Sequence, residues 1–125
     1  MAKKRILIVD DEEDVRVFLQ DFLNERDMIV DTAGDGKEAL EKMSENPADI
    51  VLLDIMMPGI DGLECLGIMK KKHPSSAVIM ITALKDQERI NRAKQLGAYN
   101  YIIKPFSLSY LETELTKLIG SSPAK

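Results

Sequence analysis

Short apolar runs alternate with amphipathic segments along the whole chain. The runs at 6–9, 50–53 and 78–81 are apolar at every position, which is typical of strands buried on both faces of a parallel sheet. Between such runs, apolar residues recur at helical spacing, as they do at 15, 18, 19, 22 and 23. This alternation predicts a doubly wound α/β domain with a five-stranded parallel sheet and five helices.

The predicted elements fill the chain without repeats or an internal linker. We expect strands at about 6–9, 29–32, 50–53, 78–81 and 101–103. We expect helices at about 12–26, 35–46, 61–73 and 86–96, and a last helix from Ser107 to Gly120. Residues 1–120 are therefore expected to form one domain, followed at 121–125 by a flexible tail or the start of a linker.

Polar side chains follow four of the five predicted strands, namely Asp10 and Asp11, Asp54, Thr82, and Lys104. Singly, each has an ordinary explanation, such as a helix cap or a solvated strand end. Together they favour a ligand site, because the carboxyl ends of parallel strands meet at one edge of the sheet. The flavodoxin-like strand order 2-1-3-4-5 places strands 1 and 3 side by side there, and with them the three aspartates.

The three aspartates predict a metal site. Carboxylates this close repel one another unless a cation joins them. Oxygen ligands without histidine or cysteine favour Mg²⁺ (or Mn²⁺) over zinc. We expect Asp10 and Asp11 to hold the ion directly or through water, with the main-chain carbonyl of Met56 as a further ligand.

Asp54 is the candidate nucleophile, because an aspartate can attack phosphorus and form an aspartyl phosphate. Phosphoryl transfer needs mainly alignment and neutralisation of the phosphoryl oxygens. We expect Lys104 to neutralise that charge together with the metal, and the hydroxyl of Thr82 to donate a hydrogen bond to it. Lys104 and Thr82 would thus form the phosphoryl side of the site.

Four motifs resemble the receiver (phosphoacceptor) domain of bacterial two-component response regulators. They are ILIVDDE at 6–12, VLLDIMMPGIDGLE at 51–64, ITA at 81–83 and YIIKPF at 101–106. The motifs stand in the family's order and spacing, and the resemblance covers about 4–119. The chain is similar in particular to the single-domain, chemotaxis-type regulators.

The resemblance implies phosphotransfer from a histidine kinase or phosphotransfer protein onto Asp54, with Mg²⁺ bound by Asp10, Asp11, Asp54 and the carbonyl of Met56. It also implies a cis peptide bond between residues 104 and 105.

Further along the chain, the resemblance implies that Thr82 and Tyr101 couple phosphorylation to the face formed by the fourth helix, fifth strand and fifth helix. That face would control a downstream effector protein or a fused output domain. We expect structural roles for Pro58, Gly62 and Pro105.

Two alternatives remain beside a phosphorylation-activated switch. One is a Mg²⁺-dependent phosphatase that forms an aspartyl phosphate, although Met56 stands where many such enzymes carry a second aspartate. The other is a degenerate receiver that acts as a constitutive interaction module. A switch would not be a turnover enzyme, and it would catalyse only its own phosphorylation and a slow autodephosphorylation. Since Met56 and Leu84 are apolar where many family members are polar, the lifetime of the phosphorylated form is left open.

The composition limits the classes of partner and the cellular location that we expect. A net charge of −4 argues against direct nucleic-acid binding, which needs a clustered basic surface. The apolar runs are too short to span a membrane. The lone Cys65 cannot form an internal disulfide and fits a reducing compartment. We therefore expect a cytoplasmic protein that contacts neither nucleic acid nor membrane.

Overall fold

The computed structural model describes residues 3–119, which form five strands and five helices in strict alternation. The strands are β1 (Arg5–Val9), β2 (Ile29–Ala33), β3 (Ile50–Leu53), β4 (Ala77–Thr82) and β5 (Asn100–Ile103). The helices are α1 (Glu13–Asn24), α2 (Gly36–Glu45), α3 (Gly62–Lys72), α4 (Gln87–Gln95) and α5 (Leu108–Ile119). The predicted helix end at Gly120 and the predicted tail at 121–125 lie outside the described residues.

All four strand pairs are parallel, and the sheet order is β2-β1-β3-β4-β5. The predicted fold class and strand order are therefore confirmed. Val9 pairs with Leu53 across the β1–β3 ladder. The residues that follow these two strands consequently leave the sheet side by side.

Two apolar clusters fill the space on either side of the sheet. Alternate strand residues such as Leu7, Val51 and Met80 belong to one cluster, which includes residues of α2, α3 and α4. Their neighbours along the strands, such as Ile8 and Leu52, belong to the other, which includes residues of α1 and α5. This period-two division explains why the strands are apolar throughout.

Aspartates begin three of the helices. The side chains of Asp35, Asp61 and Asp86 accept hydrogen bonds from main-chain N–H groups in the first turn, at 2.8, 2.9 and 3.0 Å respectively. Each bond satisfies a donor that the helix itself leaves free. Asp86, and not Thr82, therefore caps α4, and Thr82 is the last residue of β4. Among the described residues, no helix is long and apolar enough to cross a membrane.

Candidate functional site

The site lies at the carboxyl ends of β1 and β3. The N–H of Asp54 donates to the carbonyl of Val9 at 3.1 Å, which extends the β1–β3 ladder by one residue beyond the strands. Asp10 and Asp54 are buried, with only 3% and 6% of their surface exposed, whereas Asp11 is exposed. The structure thus brings the three predicted aspartates together, two in the interior and one at the opening.

Lys104 joins the two buried carboxylates. Its ammonium donates to Oδ2 of Asp10 at 2.8 Å and to Oδ2 of Asp54 at 3.1 Å. The sequence assigns Lys104 to the phosphoryl side and Asp10 to the metal side, and it does not predict the direct ion pair that the structure shows between them. Two neighbouring buried carboxylates attract one shared cation, so a single ammonium serves both.

Main-chain donors hold the other oxygen of each buried carboxylate. The N–H of Glu12 donates to Oδ1 of Asp10 at 2.9 Å, and the N–H of Met56 donates to Oδ1 of Asp54 at 3.1 Å. Both side chains are therefore fixed by one main-chain and one ammonium contact. The donor to Asp10 also shows why an aspartate follows β1, since the bond closes the turn into α1.

The electrostatics of the pair are set by burial and by the ammonium. Burial raises the pKa of Asp10 above its ordinary value, and the hydrogen bond from Lys104 only partly offsets this effect. Burial alone would lower the pKa of Lys104, but its hydrogen bonds with Asp10 and Asp54 outweigh that penalty and raise it. Lys104 is consequently a permanent positive charge at neutral pH.

The three aspartates satisfy the simplest geometric requirement for a shared ion. Oxygens of Asp10, Asp11 and Asp54 all lie within 4.8 Å of one another. The donor set holds carboxylate oxygens alone, which suits a hard divalent cation. Burial raises the pKa of Asp10, and a bound cation would favour the charged form of this carboxylate. The donor chemistry therefore fits Mg²⁺ or Mn²⁺.

Thr82 and Tyr101 meet through the segment that joins β4 to α4. Thr82 is completely buried, and its hydroxyl accepts a hydrogen bond from the N–H of Leu84 at 3.4 Å. The half-buried Tyr101 donates its hydroxyl to the carbonyl of Leu84 at 2.7 Å. Both predicted switch residues are thus bonded to the same residue of one loop.

Gly62 and Pro105 shape the backbone around the site. A Cβ at Gly62 would stand 2.1 Å from the carbonyl oxygen of Asp54 and 2.5 Å from Cα of Ile55, far inside van der Waals contact. Glycine therefore lets α3 begin directly against the backbone of the buried aspartate. The peptide bond between Lys104 and Pro105 is cis, as the resemblance implies.

A cavity of about 400 Å³ opens beside Asp11. Its lining includes Met56, Pro58, Leu84 and Arg89. The two apolar positions noted in the sequence therefore lie on one cavity next to the aspartates. Pro58 is exposed in the loop after β3, and its structural role stays a prediction.

Sequence reasoning missed two arginines near the site. Arg89 lines the cavity, and Arg16 donates to the main-chain carbonyl of Asp10. No motif at helical spacing distinguishes these side chains from solvated arginines. Cys65 is buried, and burial raises its pKa to about 12, so its thiol is unsuited to nucleophilic chemistry.

The comparisons with known proteins agree with this architecture. A family model described as the response regulator receiver domain matches residues 6–116. Sporulation initiation phosphotransferase F of Bacillus subtilis is 34% identical over 119 residues, which cover 95% of this chain and 96% of that protein. The probable transcriptional regulator ycf27 of Guillardia theta is 40% identical over 94% of this chain, but the match spans only 46% of that longer protein.

Among solved structures, the response regulator TrrA of Thermotoga maritima in complex with Mg²⁺ and BeF is 40% identical, with a TM-score of 0.83. The match covers 92% of this chain and 98% of that one. Sequence, fold and the arrangement of strand-end residues lead to one conclusion. The chain belongs to the response regulator receiver domain family, whose members are signalling switches and not metabolic enzymes.

Proposed function

We propose that this receiver domain takes a phosphoryl group from a phosphohistidine onto Asp54. The donor would be a histidine kinase or a phosphotransfer protein. The observation that carries the proposal is the shared ammonium of Lys104, 2.8 Å from Asp10 and 3.1 Å from Asp54. It places a fixed positive charge beside a buried carboxylate, as phosphoryl transfer to that carboxylate requires.

Asp54 would act as the nucleophile. One of its carboxylate oxygens forms a bond to phosphorus while the bond from phosphorus to the donor's imidazole nitrogen breaks, and the electron pair of that bond returns to the nitrogen. Lys104 and the N–H of Met56 hold the carboxylate in place. The buried hydroxyl of Thr82 would donate a hydrogen bond to the incoming phosphoryl oxygens.

Asp10, Asp11 and Asp54 would hold Mg²⁺ (or Mn²⁺), with the main-chain carbonyl of Met56 as a further ligand. Their oxygens lie within 4.8 Å of one another, and a cation there would offset the effect of burial, which raises the pKa of Asp10. When bound, the cation supplies neutralisation of the phosphoryl oxygens. We keep the sequence-based assignment of Asp10 and Asp11 to the metal, with Lys104 adjacent to both functions of the site.

The output would pass through Thr82 and Tyr101 to the face built by α4, β5 and α5. A phosphoryl group adds charge and acceptor oxygens close to Thr82, and the loop after Thr82 already holds the hydroxyl of Tyr101. The partner would be an effector protein or a fused output domain in the cytoplasm. The domain itself would contact neither nucleic acid nor membrane.

Intact-mass spectrometry with acetyl phosphate and MgCl₂ tests the phosphoacceptor. We expect one phosphoryl adduct on the unaltered protein and none on Asp54→Asn. Asp21→Asn, which changes an exposed aspartate of α1, is the matched control and should keep the adduct. The adduct should also disappear with excess EDTA.

Other outcomes would contradict the proposal in recognisable ways. A folded protein without an adduct, tested also with a phosphorylated histidine kinase, would favour the degenerate interaction module. Rapid multiple turnover of unrelated phosphate esters would favour the aspartyl-phosphate phosphatase. An adduct that persists in Asp54→Asn would place the phosphoacceptor elsewhere.

A further inference from the structure

The main-chain carbonyl of Asp10 has an unusual partner. The N–H of Asp10 still bonds to the carbonyl of Ala33, at 3.2 Å, as the β1–β2 ladder ends. Its carbonyl oxygen instead accepts a hydrogen bond from Nη1 of Arg16, at 2.5 Å. A charged side chain therefore holds the backbone at the point where the sheet gives way to the turn into α1.

Arg16 is itself restrained on several sides. It lies in the first half of α1, where its N–H donates to the carbonyl of Glu12 at 3.1 Å. The side chain is half-buried, and its guanidinium lies against the backbone of Gly34, where a Cβ would stand 3.4 Å from Nη1. The guanidinium thus bridges the turn after β1 and the loop after β2.

The held carbonyl belongs to the same rigid unit as the next residue. The carbonyl of Asp10 and the N–H of Asp11 share one planar peptide group. Fixing that oxygen therefore fixes the plane from which the side chain of Asp11 departs. Asp11 is exposed, and among residues 3–119 the structure shows no hydrogen bond to its carboxylate, so the peptide plane is the restraint on Asp11 that Arg16 can supply.

We propose that Arg16 is a positioning residue that presets the Asp10–Asp11 turn for divalent-cation binding. The inference rests on the proposed function, since it assigns Asp10 and Asp11 to the metal. Arg16 would not contact the ion. It would reduce the reorganisation that the turn undergoes when both aspartates engage the same cation.

The test compares three variants by calorimetric titration with MgCl₂. Arg16→Ala removes the bond to the Asp10 carbonyl. Arg16→Lys keeps a positive charge and one donor but loses the planar guanidinium. Arg26→Ala is the matched control, because Arg26 also donates to a main-chain carbonyl, that of Phe22 at 2.8 Å. Arg26 lies just beyond the C-terminal end of α1, away from Asp10 and Asp11.

We expect Arg16→Ala to raise the Mg²⁺ dissociation constant about 10-fold and Arg16→Lys to raise it less. Arg26→Ala should bind Mg²⁺ as the unaltered protein does, even where urea unfolding shows a comparable loss of stability. With acetyl phosphate, Arg16→Ala should be phosphorylated slowly at limiting Mg²⁺ and close to the normal rate at saturating Mg²⁺.

Unchanged Mg²⁺ affinity in Arg16→Ala, with only a loss of stability, would overturn the inference and leave the proposed function intact. A defect that saturating Mg²⁺ does not relieve would also overturn it. If Arg16→Ala does not fold, Arg16→Lys decides, since normal affinity there together with normal stability would contradict a positioning role for the guanidinium. Absence of Mg²⁺ binding by the unaltered protein would overturn both proposals.

Discussion

At the scale of single residues, the site keeps a carboxylate where burial works against its charge. The pKa of Asp10 is raised, chiefly by burial. A raised pKa means that the folded protein binds the proton more tightly than the unfolded chain does. The free-energy cost of the buried Asp10 charge is therefore fully present above the pKa that Asp10 has in the folded protein. Below the ordinary pKa of 3.8 that cost is absent.

The upward direction of this pKa shift gives a prediction for Asp10→Asn in metal-free buffer with EDTA. Relative to the unaltered protein, the variant should gain stability as pH rises from about 3.5 to 7, because it lacks the carboxylate whose pKa burial raises. The difference between pH values is the relevant quantity, because it follows from the pKa shift of Asp10, whereas effects of the substitution that do not depend on pH cancel. Urea unfolding at several pH values measures it.

Asp86→Asn is the control of opposite sign. The pKa of Asp86 is lowered, first by the hydrogen bond from the N–H of Arg89 at the start of α4. Its carboxylate therefore contributes stability above pH 3.8 and loses that contribution as pH falls through the folded pKa. Relative to the unaltered protein, this variant should lose stability as pH rises. Parallel curves for the two variants would contradict the assigned causes.

At the scale of elements, the start of α3 is fitted to the backbone of β3. A Cβ at Gly62 would stand 2.1 Å from the carbonyl oxygen of Asp54. A contact that short cannot be relieved by a rotamer change, because the backbone fixes the position of Cβ and the carbonyl oxygen belongs to the backbone. Helix and strand would have to separate, and Asp54 would move with them.

Gly62→Ala should therefore lower the free energy of unfolding by about 3 kcal/mol and slow phosphorylation of Asp54. Gly67→Ala is the matched control in the same helix, since a Cβ there meets only Leu96 at 3.5 Å. That variant should keep or gain stability, by up to about 1 kcal/mol, because alanine favours the helix. Chemical denaturation and the acetyl phosphate reaction measure both effects. Equal losses in the two variants would show that the close approach of Gly62 to the backbone of Asp54 is not the cause of the effect.

The order of the elements could be predicted because burial leaves a regular signature. Strands covered on both faces are apolar at every position, as 50–53 are, and helices repeat their apolar residues every three or four positions. Boundaries were less predictable, since α1 ends at Asn24 and not near 26. The chain continues there with a turn that the apolar spacing alone does not distinguish from a helix.

The site was predictable to the extent that it lies at strand ends. Asp54 and Lys104 each follow an apolar run directly, so topology alone brings them to one edge. The contact of Lys104 with Asp10 and the hydrogen bond from Arg16 to the main-chain carbonyl of Asp10 were not predictable. Both depend on how a long flexible side chain crosses between elements, which leaves no periodic trace in the sequence.

At the scale of the molecule, the two core clusters indicate which part of the chain contributes to the folded core of the domain. Their buried members lie between Ile6 and Leu115, and Ile119 is packed against the second cluster. We infer a receiver domain at 1–120, with 121–125 as a tail or the start of a linker. A variant that ends at residue 120 should unfold within about 0.5 kcal/mol of the full chain. A larger loss in urea would place part of 121–125 in the folded domain.

The largest-scale prediction concerns how the site reaches the α4–β5–α5 face. Tyr101 packs against the first core cluster and bonds to Leu84, so its ring joins β5 to the loop that follows Thr82. If that loop moves when Asp54 is phosphorylated, the ring should transmit the movement to α4. Removing the ring should separate the chemical event from its structural consequence.

Tyr101→Ala should therefore keep the phosphoryl adduct on Asp54 while reducing the change in hydrogen exchange that acetyl phosphate and Mg²⁺ produce across 83–95. Tyr110→Ala is the matched control, because Tyr110 is an exposed tyrosine of the same face whose hydroxyl accepts from Asn100 at 3.3 Å. It should leave the exchange response intact. A full response in Tyr101→Ala would mean that the loop reaches α4 without the ring.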